Sequence, residues 1–143
     1  MREIKFRGYL KDSFFKGKEE HPSYEPLLNK RIVKIHSIHF NSKKVIISCP
    51  TGGNMSVEFK DIKLIQYTGL KDKNGKEIYE GDILNNTAVN FKFIVKFEKT
   101  KYVLQKLEYQ EDLLNMYDFF NRIPNMFEVI GNVYEREVED EYR

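Results

Sequence analysis

Seven consecutive residues, Phe91-Lys92-Phe93-Ile94-Val95-Lys96-Phe97, carry an apolar side chain at every odd position and lysine at two of the three even ones. Side chains on an extended strand alternate between faces with a period of two, so this run reads as a strand with one face in a core. The pattern recurs in shorter pieces. Ile4 and Phe6 alternate with Lys5 and Arg7. Ile32, Val33, Ile35, Ile38 and Phe40 form an apolar run, Val45-Ile46-Ile47 a second, Met55, Val57 and Phe59 a third, and Leu64-Ile65-Gln66-Tyr67 a fourth. Asn41-Ser42 and the Gly52-Gly53 stretch punctuate them, which gives a β-meander. Tyr102 to Leu107 returns from 91–97 through a turn at Lys99-Thr100. Many short strands separated by turn residues make the expected fold mainly β.

Two segments break the pattern. Residues 11–29 hold Gly17, Pro22 and Pro26 among charges, with Phe14-Phe15, Tyr24 and Leu27-Leu28 as apolar islands, and read as one long loop that is either functional, partly disordered or packed down by its aromatics. In 111–122, Leu113, Leu114, Tyr117 and Phe120 recur at helical spacing, Glu111 and Asp112 suit the positive end of a helix, and Pro124 marks its stop. The spacing predicts a helix of about three turns. Phe127, Val129 and Val133 form the last strand, with a bulge expected at Gly131. An acidic tail follows.

Residues 66–83 place two turn signals between strands. Asn74-Gly75 is favoured at hairpin tips because both residues tolerate positive φ, and Gly69 and Gly81 are further positions for backbone that a Cβ would strain. Ile78, Tyr79, Ile83 and Leu84 supply apolar cover. The acids Asp72, Glu77, Glu80 and Asp82 each have a lysine nearby in sequence and read as a solvated turn. They fit no calcium loop, because the glycine falls too early and no bidentate glutamate follows at the required offset.

This run (Tyr67, Thr68, Gly69, Leu70, Asn74, Gly75, Tyr79, Glu80, Gly81 and Asp82 above all), with Ile4-Lys5-Phe6-Arg7 before it and residues 127–135 after it, resembles the YopX family of phage and prophage proteins. The three motifs occur in the family's order. The resemblance implies a β-rich fold similar to SH3-like barrels, self-association, a bacteriophage-type protein in the host cytoplasm, and no transferable catalytic residue. Tyr67, Tyr79 and Glu80 are then the motif's candidate recognition edge.

At 143 residues the chain is expected to be one domain, with sub-lobes 1–66 and 67–143 as the alternative. A hydrophobic share of 41% beside 32% charge is globular rather than disordered. The one cysteine, Cys49, precludes an internal disulfide and reads as a half-buried hydrophobe. No apolar run reaches membrane-spanning length and no secretory signal opens the chain, so a cytosolic protein with no membrane partner is expected. The formal net charge of +2 hides an asymmetry: residues 1–60 hold 12 Lys plus Arg against 6 Asp plus Glu, and 61–143 hold 12 against 16. Such polarity serves an anion-binding face, complementary packing between subunits, or simply an ordinary solvated surface that keeps the protein soluble.

Two binding surfaces follow. Lys5, Arg7, Arg31, Lys34, Lys43 and Lys44, with Tyr9, Tyr24 and Phe40 for stacking, are the candidate nucleic-acid contacts. The sequence pI of 8.5 falls short of a dedicated binder, which ranks this reading second. Leu113, Met116, Tyr117, Phe119 and Phe120 exceed the stripe a core-facing helix needs and are the candidate homo-oligomer contacts, with a helix that simply plugs the barrel as the alternative. His36 and His39 are three apart in a strand and project to opposite faces, so no metal is expected, and no cofactor motif is present. The favoured reading is a non-enzymatic interaction or self-assembling protein with a host or phage protein as further partner. The third reading, an enzyme, requires Glu77, Glu80 or Asp82 in a cleft with raised pKa values.

Overall fold

The computed structural model describes residues 3–88, 90–98, 100–107, 113–122 and 125–135. The chain divides into two compact units, Lys5–Ile65 and a second made of Met1–Ile4 with Gln66–Arg143. The protein is mainly β and its strand pairs are antiparallel.

The first unit contains β1 (Phe6–Leu10), α1 (Asp12–Phe15), a 3-10 turn (Pro22–Tyr24), α2 (Glu25–Asn29), β2 (Ile32–His39), β3 (Lys44–Ser48), β4 (Asn54–Glu58) and a second 3-10 turn (Phe59–Asp61). It ends within β5 (Ile62–Lys71). The expected meander is present, in the order β4-β3-β2-β1 with β5 beside β1. Val45 and Ile47 are buried and pair with Ile38 and Ile35, which sets those apolar residues on the core face. A register shift between Ile35 and Ser37 keeps both isoleucines inward and leaves Lys34, Ser37 and His39 on the other face. The segment expected as a long loop forms two short helices and a 3-10 turn. Its aromatics explain why: Phe14, Phe15 and Leu27 join Leu10, Val33, Val45, Ile47, Val57 and Ile62 in one core. Phe14 meets Phe15 edge-on at 5.0 Å and Tyr24 at 6.0 Å.

The second unit continues β5 and adds β6 (Glu77–Tyr79), β7 (Asp82–Asn86), β8 (Phe91–Glu98), β9 (Lys101–Lys106), β10 (Leu113–Asn115), α3 (Met116–Arg122) and β11 (Phe127–Asn132). Its main sheet has the order β10-β9-β8-β7-β11. The mainly β class is as expected, while this sheet stays open, with β10 and β11 as ends, and does not close into a barrel. One face packs Leu84, Phe93, Val95, Tyr102, Leu104, Met116 and Phe127 together with Ile78. The other face is also buried at its centre, at Ile83, Ile94 and Val103. Ile94, the residue that breaks the lysine alternation of 91–97, is the sequence trace of that second cover.

Helix 111–122 is shorter than its spacing predicts. Leu113–Asn115 pairs with β9 as an edge strand, and the helix begins only at Met116. Asn115 supplies the reason: its Oδ1 accepts from the Asp118 N–H at 3.1 Å, so it caps the helix instead of continuing it. Glu111, Asp112, Pro124 and the acidic tail from 136 lie outside the described residues. The bulge expected at Gly131 is present, as a register shift between Val129 and Gly131 against β7.

Candidate functional site

The family-like run 66–83 begins on β5, and its polar groups face backbone. Between the paired positions Tyr67↔Tyr79 and Lys71↔Glu77, β5 has three residues where β6 has one. Such a bulge strands peptide groups that the ladder would otherwise satisfy. Thr68 repairs this. Its buried hydroxyl donates to the Ile78 carbonyl at 2.7 Å and accepts from the Leu70 N–H at 3.2 Å, while Gly69 takes φ +88. The Tyr117 hydroxyl donates to the Thr68 carbonyl, anchoring α3 to the same spot.

At the tip of this hairpin Gly75 adopts φ +80, and Asn74 stays at negative φ, so only one residue of the pair uses the conformation both tolerate. Asp72 organises the loop. Its Oδ1 accepts from Asn74 N–H at 2.8 Å and Lys76 N–H at 2.9 Å, and its Oδ2 accepts from Val129 N–H at 3.0 Å. Lys73 N–H donates to the Phe127 carbonyl at 2.9 Å, so loop and β11 are tied at two points. Burial alone would raise the Asp72 carboxyl, but the backbone donors of Val129, Lys76 and Asn74, with the Lys76 charge, hold it below the usual carboxylate value. Asp82 is likewise buried, and its Oδ2 accepts from Tyr79 N–H at 2.8 Å. The expectation of a solvated acidic turn is thus corrected at Asp72 and Asp82. Backbone donors stabilise both carboxylates, joined at Asp72 by the Lys76 charge.

The next turn is built on Gly81 at φ +87. A Cβ there would lie 2.2 Å from the Tyr134 ring, and the Gly81 peptide binds both ways: its N–H to the Val95 carbonyl and its carbonyl to the Val133 N–H, each at 2.8 Å. Asn132, paired with Asp82, accepts from Tyr134 and Glu135 N–H at 3.0 and 2.8 Å. The segments 66–83 and 127–135 therefore form one joint. Tyr67 and Tyr79 are buried with rings 5.5 Å apart, which removes them as an exposed recognition edge. Glu80 is half-buried, and its N–H donates to Gln66.

The candidate oligomer contacts resolve mostly into core. Met116 has no exposed surface, and Phe120 stacks on Phe127 at 4.9 Å with rings nearly parallel. Tyr117 sits 6.4 Å from Tyr102. These residues broaden the helix's apolar stripe because they close one face of the sheet, so they offer a second subunit little area. The side chains of Leu113 and Phe119 lie outside the described residues.

The candidate basic residues divide. Arg31 is drawn into its own unit, ion-paired with Asp12 and stacked 4.7 Å over the Phe15 ring. Arg7 and Lys34 are direct cross-strand neighbours on the face opposite the core, and Lys5 and Tyr9 share the Arg7 parity. Lys43 and Lys44 lie at the β2–β3 hairpin tip beside the expected Phe40, and sequence reasoning missed their other companions, Phe59 and Lys60. Phe40 is 74% exposed there, 6.0 Å and edge-on from Phe59, whose N–H donates to the Lys43 carbonyl at 2.9 Å. Lys60 follows and reaches Glu58 at 3.4 Å. Cys49 is half-buried, as expected. Among the described residues no three His, Cys, Asp or Glu gather in metal-binding geometry.

The joint and the basic face belong to a mainly β protein of two units with open antiparallel sheets. Residues 15–137 match the family model described as YopX protein, and the chain belongs to that family. The crystal structure of protein EF1440 from Enterococcus faecalis is similar in fold, at a TM-score of 0.54 and 21% identity over 94% of this chain and 96% of that one. No curated protein matches. No helix among the described residues is long and apolar enough to cross a membrane.

Proposed function

We propose that this protein acts by binding, without catalysing a reaction, and that its first partner is a second copy of itself held by charge. The carrying observation is that the charge boundary and the unit boundary coincide. Residues 5–65 hold 12 Lys plus Arg against 6 Asp plus Glu, whereas 1–4 with 66–143 hold 12 against 16. Opposite net charges on separate units of one chain favour contact between the basic unit of one copy and the acidic unit of another. The non-enzymatic reading is supported by the joint. Asp72 and Asp82 serve as acceptors for backbone N–H, and the lowered Asp72 pKa is the reverse of what a general acid requires. The family resemblance supports the setting, a bacterial cytoplasm carrying phage genes, with a host or phage protein as further partner.

Light scattering of the full chain across a salt series tests it. A mass above one chain at low salt, falling as salt screens the charges, is the expected result. A single-chain mass throughout would overturn self-association.

A further inference from the structure

The β2–β3 hairpin tip gathers features that the core of its unit does not use. Phe40 holds 74% of its surface exposed, although its unit has a hydrophobic core that draws on β1 to β5. Phe59 braces it edge-on at 6.0 Å, so the ring has a fixed backing and an open face. Lys43 stands in the turn at φ +54, and Lys44 pairs with His39 on one side and Glu58 on the other. Lys60 is 76% exposed beyond Phe59. Three exposed lysines against two carboxylates, exposed Glu58 and half-buried Asp61, leave the tip cationic. The register places Lys34 on the same sheet face as Lys44, five residues along β2, which is about 16 Å away.

A flat, open aromatic ring flanked by mobile point charges fits a partner that alternates π-faces with phosphates. We propose that this tip binds single-stranded nucleic acid, with a base stacked on Phe40 and the backbone running over Lys43, Lys44 and Lys60 toward Lys34. Stacking on an aromatic face is tolerant of sequence, and lysines contact phosphate as point charges, so binding is expected to be modest, salt-dependent and nearly sequence-neutral. A duplex hides its base faces, and so it uses only the lysines and binds more weakly. This inference rests on the reading of the protein as a binder, but it assigns a different partner from a second copy.

Fluorescence anisotropy of the full chain with a labelled oligothymidylate at low salt tests it, beside the same backbone lacking bases. Loss of the bases is expected to weaken binding about tenfold, and Phe40→Ala to weaken the oligothymidylate by a similar factor while leaving the abasic strand unaffected. The double variant Lys43→Gln/Lys44→Gln is expected to reduce the slope of log K against log salt by about 1.4. Lys101→Gln in the other unit serves as the control and leaves both readouts unchanged. Circular dichroism of each variant establishes that it is folded. Equal binding of the abasic strand, or full affinity in Phe40→Ala, overturns the proposal. So does tighter binding to vesicles of anionic phospholipid than to the oligonucleotide, which would make the exposed ring a membrane contact. Salt-sensitive self-association with no oligonucleotide binding would sink this inference and leave the proposed function standing.

Discussion

The loop at 72–76 and the tip at 40–43 are both short polar connections between antiparallel strands, each in its own unit, yet they use their side chains in opposite ways. In the first, one carboxylate gathers three backbone N–H groups and is buried. In the second, the backbone closes on itself, Lys43 N–H to the Phe40 carbonyl at 3.3 Å, and the side chains are left outside. What separates them is the neighbour. Strand β11 lies alongside loop 72–76 and presents Val129 N–H to its carboxylate and the Phe127 carbonyl to its backbone, whereas the turn at 59–61 beside the tip gives its Phe59 N–H to the Lys43 backbone carbonyl and not to a side chain. A charged turn is therefore architecture where stray backbone donors converge on it, and surface where they do not. The family-like motif belongs to the first kind.

Substitutions in the joint should cost stability and those at the tip should not. The largest cost is expected for Gly81→Ala, which combines φ +87 with a Cβ 2.2 Å from the Tyr134 ring between two short peptide hydrogen bonds. A loss of about 3 kcal/mol in denaturant unfolding is expected, since a left-handed non-glycine residue alone costs about 1–2 kcal/mol. A loss below 1 kcal/mol would show that Tyr134 swings aside and that the joint is loose. Asp72→Asn comes next, at about 2 kcal/mol near neutral pH, because an amide places N–H groups against donors that need an acceptor. This cost also depends on pH. The native Asp72 pKa lies below the ordinary carboxylate value of 3.8, so its stabilisation is complete above that value and is lost as pH falls through the lowered native one. Acid titration of unfolding should bring wild type and Asp72→Asn together only once pH has fallen through the lowered native value, under the ordinary carboxylate range. A gap that persists there would mean the carboxylate's charge is not what holds the loop.

How much of this contrast was legible in the sequence follows from range. Period-two alternation and turn residues are local, and they gave the meander, the β8–β9 hairpin, the hairpin at Asn74-Gly75 and the bulge at Gly131. The helix boundary failed because Leu113 and Leu114 satisfy helical spacing and an edge strand alike, and the choice is made by pairing with β9 and by the Asn115 cap. Burial of Asp72 and Asp82 was invisible for the same reason. Lysines adjacent in sequence suggest solvated pairs, while the donor that completes the Asp72 set, Val129, is 57 residues away. The open barrel and the turn at 59–61 beside Phe40 also rest on long-range placement. The family motif carried the strongest sequence signal, and what it encodes is the joint.

Smaller effects separate the two regions further. Tyr117→Phe removes only the hydroxyl that donates to the Thr68 carbonyl, and about 1 kcal/mol should be lost with α3 otherwise in place. If nothing is lost, the helix is held by Met116 and the Phe120–Phe127 stack alone. At the tip, Phe40→Ala should change stability by no more than about 0.5 kcal/mol, as expected of a surface position. That result is the sharpest check on the comparison. Phe59 packs partly against the core of its unit, so a cost above 1 kcal/mol would mean that Phe40 stabilises that core through Phe59. Its exposure would then be incidental to packing, and the tip would join loop 72–76 as a structural turn.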